Sequence, residues 1–129
     1  MSMKRVTGIG GIFFKSNDPQ KLKSWYESHL GVKAEKDGTM FEWREKENPD
    51  RVGCTVWSVF PHTTKYFDPS TAPFMINYRV ANLRELLEEL RKEGVQIAGA
   101  IEEYEYGKFA WVLDPDGNRI ELLEPPENS

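Results

Sequence analysis

The chain of 129 residues reads as one pattern written twice, and this repeat constrains the fold more than any other feature. In each half a strand-like run precedes a helix-like run, then a Gly-Val pair, then further strand-like runs. Gly11 to Lys15 matches Met75 to Arg79 at an offset of 64 positions (75 − 11). The helix-ending glycines Gly31 and Gly94 are 63 positions apart (94 − 31), and Val32 and Val95 follow them. Phe41-Glu42-Trp43 echoes Phe109-Ala110-Trp111. A period of half the chain predicts two similar supersecondary units, each a strand, a helix and further strands (βαβββ).

Val6 to Lys15 is rich in aromatic and β-branched residues and predicts a strand. Gly8, Gly10 and Gly11 inside it predict a bulge or a close backbone approach. Asp18-Pro19 supplies an N-cap and a proline at the first helical position. Leu22, Trp25, Tyr26 and Leu30 recur at helical spacing, and Gly31 gives the stop. Strands follow over Gly38 to Arg44 and Gly53 to Phe60, split by the turn Asn48-Pro49-Asp50, with a short strand around Lys33 to Lys36. Pro61 to Pro73 has no clear period and serves as a connection.

Phe74 to Val80 alternates, with Phe74, Ile76, Tyr78 and Val80 on one face and Met75, Asn77 and Arg79 on the other. Asn82 caps a second helix striped by Leu83, Leu86, Leu87 and Leu90 and stopped by Gly94. Val95 to Ala98, Lys108 to Leu113 and Arg119 to Glu124 complete the set, the last two joined by Asp114-Pro115-Asp116-Gly117. The expected division is one α+β domain over residues 1–129. Its first module covers 5–60, the connection 61–73 and the second module 74–125.

Composition narrows the function class. The apolar fraction is 39% and the charged fraction 29%, which suits a soluble globular chain able to bury about two-thirds of its unfolded surface. A net charge of −4 gives no general attraction to nucleic acid or to an anionic membrane. No apolar run approaches the roughly 20 residues that span a bilayer, and no signal-peptide core opens the sequence. Cys54 stands alone, so no intramolecular disulfide framework is possible and a reduced, cytoplasmic setting is expected.

Tyr106-Gly107-Lys108-Phe109, followed by Asp114-Pro115-Asp116-Gly117-Asn118-Arg119-Ile120-Glu121-Leu122, resembles the C-terminal signature of the glyoxalase/bleomycin-resistance/dioxygenase (vicinal oxygen chelate) superfamily. Ser16-Asn17-Asp18-Pro19 through Trp25-Tyr26 to Leu30-Gly31 is similar to its N-terminal signature. The resemblance spans essentially the whole chain. It implies two tandem βαβββ modules forming a trough-like curved sheet, with the helices outside. It also implies a divalent-metal site in many members, with a His on the first strand of a half and a Glu or related residue on the last. Here the His positions fall on Gly11 and Met75. Glu121 matches an acid position, and its first-half counterpart falls on Thr55 or Trp57. One carboxylate alone does not hold a divalent ion firmly. No cofactor is therefore expected, although an ion held weakly by Glu121, waters and substrate stays compatible with the sequence. His29 in the first helix and His62 at the connection do not restore the ligand set.

Glu121 is the candidate catalytic residue. Its side chain points opposite to those of Ile120 and Leu122, into the trough if those two face the helices. A buried carboxylate needs partners, and Arg79, Lys15, Asn77 and a tyrosine hydroxyl are the candidates. A cationic partner gives it a structural or ligand-orienting role, whereas neutral partners suit it to proton transfer. Phe13, Trp57, Met75, Asn77, Arg79 and Tyr106 are the candidate ligand-binding residues. Asn77 and Arg79 offer donors to a carboxylate, phosphate or carbonyl oxygen. Trp25 and Trp111 are expected in the core. Tyr66, Phe67, Tyr104 and Tyr106 fall in expected loops and suit a lid or an interface. Cys54 is expected as a small buried hydrophobe.

The resemblance implies an enzyme acting on a small oxygenated molecule, of lyase or isomerase type. The alternative is a bleomycin-resistance-like protein that sequesters an aromatic or cationic ligand without chemistry, which the acidic net charge suits. A third reading is a dimerising interaction module. A homodimer is expected in each case.

Overall fold

The computed structural model describes residues 5–33 and 38–126. Ten elements run in the order β1 (Val6–Ser16), α1 (Pro19–Leu30), β2 (Thr39–Arg44), β3 (Val52–Pro61), β4 (Phe74–Val80), α2 (Leu83–Lys92), β5 (Gln96–Ile97), β6 (Glu102–Tyr104), β7 (Gly107–Leu113) and β8 (Arg119–Glu124). The strands form one mixed sheet in the order β2-β3-β1-β4-β8-β7-β5, with β6 also paired to β7.

The pairing carries the repeat into three dimensions. β1 runs parallel to β3 and β4 parallel to β8, while β2–β3 and β7–β8 are antiparallel. The halves meet through the antiparallel β1–β4 pair, where Ile12 faces Ile76. Those two residues are separated by the same 64 positions (76 − 12), so a pseudo-twofold axis passes through their pair. The register of β1 shifts between Ile9 and Gly11, which is the irregularity the glycine-rich run predicts.

Both helices start as their caps dictate. The Asp18 side chain accepts from the Lys21 N–H and that of Asn82 from the Glu85 N–H, each satisfying an orphan donor of the first turn. Gly31 closes α1 at a φ of 69°, a left-handed conformation that costs glycine nothing.

The helices differ in how they pack. Leu83, Leu86 and Leu87 of α2 are buried against Val80, Ala110, Val112 and Leu122, the main core. Helix α1 buries no residue fully. Trp25, expected in the core, is instead 51% exposed and meets Tyr26 edge-on and His29 at a tilt at the surface. The reason is geometric: Tyr26 and Trp57 fill the contact between α1 and the sheet, with ring centroids 4.9 Å apart, and Trp25 lies to one side.

Three local expectations change. Tyr104 lies in β6 rather than in a loop, as an edge strand paired to β7. Cys54 is half-buried, across from Glu42, rather than buried. Lys33 lies outside any strand, and the rest of the expected short strand at Lys33 to Lys36 lies outside the described residues.

Candidate functional site

The face of the sheet away from α2 holds a second cluster. Phe67, Met75 and Trp111 are buried there, with Phe13, Phe60, Ala98 and Phe109 packed around them. Strand alternation sorts the residues. Ile120 and Leu122 of β8 pack toward α2, which turns Glu121 into the trough. Met75 and Asn77 of β4 and Trp111 of β7 meet it there.

Glu121 is only 2% exposed, and its carboxylate is fully engaged. Asn77 Nδ2 donates to Oε1 at 2.6 Å. Trp111 Nε1 donates to Oε2 at 3.0 Å, and the Tyr66 hydroxyl donates to the same oxygen. Asn77 and Trp111 reach it because both are register partners of Glu121, on the β4–β8 and β7–β8 ladders. Burial, and then the adjacent Glu121 carboxylate, push the Tyr66 phenol above its ordinary value of 10.0, so the hydroxyl stays a donor. Of the partners anticipated for Glu121, the structure supplies Asn77 and a tyrosine. Neither expected cation reaches it. Lys15 lies 5.3 Å from the Phe67 ring centroid, and Arg79 lies 5.6 Å from that of Trp43.

The connection supplies what sequence reasoning treated as a loop. Tight turns fold residues 61–73 back onto the sheet, with Thr64 N–H bonded to Pro61 O and Asp68 N–H to Lys65 O. Tyr66 then stacks on Phe60, and Phe67 is fully buried among Phe60, Met75 and Trp111. Arg119 holds the strap in place: it donates to the Tyr66 carbonyl and lies over the Trp111 ring at 4.8 Å. The Tyr66-Phe67 aromatic pair inside an aperiodic connection was the available signal for this insertion.

The other candidates separate. Phe13 and Met75 join Asn77 in the cluster around Glu121. Arg79 is buried on the same strand face, 6% exposed. Trp57 does not come to Glu121, because its ring packs on Phe14 and Tyr26 of the helix side. Tyr106 is 65% exposed; it stacks on Tyr104 and meets Phe109 edge-on at the border of the cluster, without reaching Glu121.

The ladder also corrects the counterpart of Glu121. Phe13 is the equivalent of Asn77, and Phe13 pairs with Ser58 as Asn77 pairs with Glu121. The first-half position is therefore Ser58, neither Thr55 nor Trp57.

The donor set does not fit a divalent ion. Gly11, Met75 and Ser58 occupy the matching positions, and a side chain on Gly11 would meet Phe13 Cζ at 2.6 Å. Among the described residues no group of three His, Cys, Asp or Glu comes together. Histidine does not replace the lost ligands: His29 and His62 are both exposed.

Solved structures with the same fold are distant in sequence. Methylmalonyl-CoA epimerase from Mycobacterium tuberculosis matches with a TM-score of 0.62 at 18% identity, over 99% of this chain and 94% of that one. A methylmalonyl-CoA epimerase in complex with methylmalonyl-CoA and NH4+ gives 0.65 at 14% identity, over 95% and 96%. A glyoxalase/bleomycin resistance protein/dioxygenase superfamily member from Vibrio splendidus 12B01 gives 0.58 at 14% identity, over 90% and 97%. Identities this low establish a shared fold and carry no activity with them. No curated protein matches the sequence. The model of the Glyoxalase/Bleomycin resistance protein/Dioxygenase superfamily matches residues 8–122, from the first strand into the last, and the chain belongs to that superfamily.

Proposed function

We propose that this protein binds a small oxygenated or aromatic molecule in its trough without a resident metal, and that Glu121 organises the binding surface. The observation that carries this reading is the convergence of three neutral donors, from Asn77, Trp111 and Tyr66, on one buried carboxylate. A carboxylate so engaged fixes the rings and amide around it. The walls it fixes are apolar and aromatic, as small-molecule sites are.

A second reading is proton transfer by Glu121 in an isomerase-type enzyme. It is favoured by the origin of Tyr66, which belongs to the connection rather than the sheet. Displacement of that strap frees Oε2 to meet a substrate.

The test is Glu121→Gln in a thermal-shift screen of small aromatic and carbonyl compounds, since ligands of the native state raise apparent stability. Compounds that stabilise the wild type and not a folded Glu121→Gln protein support the site. Compounds that stabilise both equally sink it. Retained binding combined with turnover lost only in the variant favours the catalytic reading.

The metal-free reading is checked by elemental analysis of the purified protein; stoichiometric divalent metal overturns it. A homodimer belongs to the same proposal. Ile12 and Phe74 are 42% and 40% exposed on the helix side of the central β1–β4 pair, and Trp25 and Leu30 of α1 are more exposed still. Such a run of apolar surface suits cover by a second copy. No helix of the described residues is long and apolar enough to cross a membrane, and the lone Cys54 suits a reducing, cytoplasmic setting.

A further inference from the structure

We infer that the trough contains an anion subsite built on Arg79, and that the ligand presents a carboxylate there with a hydroxyl or N–H beside it. This rests on the ligand-binding reading above and narrows its ligand class. Arg79 is 6% exposed, yet its guanidinium has no acid and no hydrogen-bond acceptor among the described residues. Its one side-chain partner is the Trp43 ring, 5.6 Å away. A guanidinium whose stem is buried and whose only side-chain partner is a ring gains from a bound anion, which supplies the acceptors it lacks. None of its nitrogens is both sealed from solvent and unbonded, so the charged end opens onto accessible space.

A second orphan lies beside it. Asn77 Oδ1 is buried without a donor, because its Nδ2 is committed to Glu121. Asn77 and Arg79 share a face of β4, two residues apart. Gly10 faces both: a side chain there would meet Asn77 Oδ1 at 2.2 Å and Arg79 Cγ at 2.9 Å. The glycine bulge of β1 thus lets the Asn77 amide and the aliphatic stem of Arg79 lie against the β1 backbone. A cavity of about 300 Å³ opens on the Trp43 indole over which Arg79 lies, with Gly8, Ile9, Arg44 and Thr55 among its other walls, although Arg79 itself is not one of them.

The charge selects the anion. One guanidinium matches the fork of a single monoanionic carboxylate. A phosphate dianion requires more positive charge than Arg79 supplies, with the Glu121 carboxylate two rungs away on the neighbouring strand. The orphan Asn77 oxygen then takes a donor carried next to the carboxylate. In 2-hydroxybutyrate the two groups sit on adjacent carbons.

The experiment uses the intact protein with 2-hydroxybutyrate, butyrate, 2-hydroxybutyramide and inorganic phosphate, each titrated at millimolar concentration. The Trp43 indole N–H resonance is the local probe, since it is anchored 2.8 Å from Thr55 Oγ1 beside Arg79. The expected order of affinity is 2-hydroxybutyrate, then butyrate, with the neutral amide and phosphate at least tenfold weaker than the hydroxy acid. Arg79→Gln abolishes the preference for carboxylate over amide, and Arg79→Lys keeps a reduced preference. Equal binding of acid and amide, tighter binding of phosphate, or no response to any probe overturns the subsite, and the wild-type comparison decides this even if the variants fail to fold. The Glu121→Gln screen is independent of these outcomes, so a failed subsite leaves the ligand-binding reading standing on its own test.

Discussion

Trp111 donates its indole N–H to Glu121 Oε2 at 3.0 Å from the position directly across the β7–β8 pair. One side chain thus belongs to the core cluster and to the candidate site at once. Tyr66 donates to the same oxygen and meets the Trp111 ring edge-on, so the strap and the sheet are joined through Glu121. The β-ladder holds Trp111 and Asn77, whereas turns and Arg119 hold Tyr66.

Tyr66→Phe removes one donor to a buried carboxylate and leaves the ring in place. The expected loss is about 1.5–3 kcal/mol at neutral pH, the usual range for a hydrogen bond to a charged group. Denaturant unfolding of both proteins measures it. The pH dependence has a fixed sign. The Tyr66 phenol titrates above its ordinary 10.0 in the folded chain, so its contribution is complete below that value and declines as pH rises beyond it. The advantage of wild type over Tyr66→Phe therefore shrinks in alkaline solution. An advantage that grows above pH 10 would contradict the assigned bond.

Glu121→Gln keeps the shape and turns half of the acceptor into a donor. Oε1 receives Asn77 Nδ2, and Oε2 receives both Trp111 and Tyr66, so an amide nitrogen at the Oε2 position meets the donor-only Trp111 indole. One at Oε1 opposes Asn77 Nδ2 until that amide turns its unused Oδ1 inward, and in both cases the charged acceptor is lost. The expected cost is about 1–3 kcal/mol in denaturant unfolding. A variant as stable as wild type would show that these bonds are not made in solution.

The architecture was legible because it rests on periodic signals. The offset that relates Gly11 to Met75 reappears in the Ile12–Ile76 pair, and both N-caps act where Asp18 and Asn82 predict. The direction of Glu121 followed from alternation against Ile120 and Leu122. Trp25 was misplaced because helical spacing does not say which of the adjacent rings of Trp25 and Tyr26 fills the contact, and Trp57 faces the helix side because Ser58, its neighbour on β3, takes the opposite face. A tyrosine was expected at Glu121 but Tyr66 was not singled out, for a different reason: the course of an aperiodic connection is fixed by tertiary contacts with Phe60, Trp111 and Arg119, and those leave no local pattern. The counterpart of Glu121 was misassigned because the stretch from Phe13 to Ser58 is one residue longer than that from Asn77 to Glu121, so a fixed offset misses the register.

Trp43 is wedged between two glycines. A side chain on Gly8 would lie 2.3 Å from its Cη2, and one on Gly53 2.4 Å from the same atom. Gly53→Ala therefore forces the indole off its bond to Thr55 Oγ1 and away from Arg79. Overpacking of this kind costs about 1–3 kcal/mol. The Trp43 indole N–H resonance should move together with the unfolding midpoint. An unchanged midpoint would mean that the ring relaxes freely and that the glycines are not required by it.

Phe67 gives the sharpest test of the strap as the cover of the trough. It is fully buried, among Phe60, Met75 and Trp111, yet it belongs to the connection and not to the sheet. Phe67→Ala leaves its ring volume empty while the surrounding walls stay fixed by the β-ladders. Truncation of a buried phenylalanine costs about 3–5 kcal/mol when the site does not collapse. A ring-sized apolar hollow in a rigid frame takes up benzene, and binding to the folded state restores stability in proportion to occupancy. Phe67→Ala should therefore melt well below wild type in thermal unfolding. Benzene should recover part of the loss in the variant and shift wild type little. A variant that melts low and ignores benzene would mean that the strap collapses into the gap, so that the trough holds no preformed space beneath Phe67.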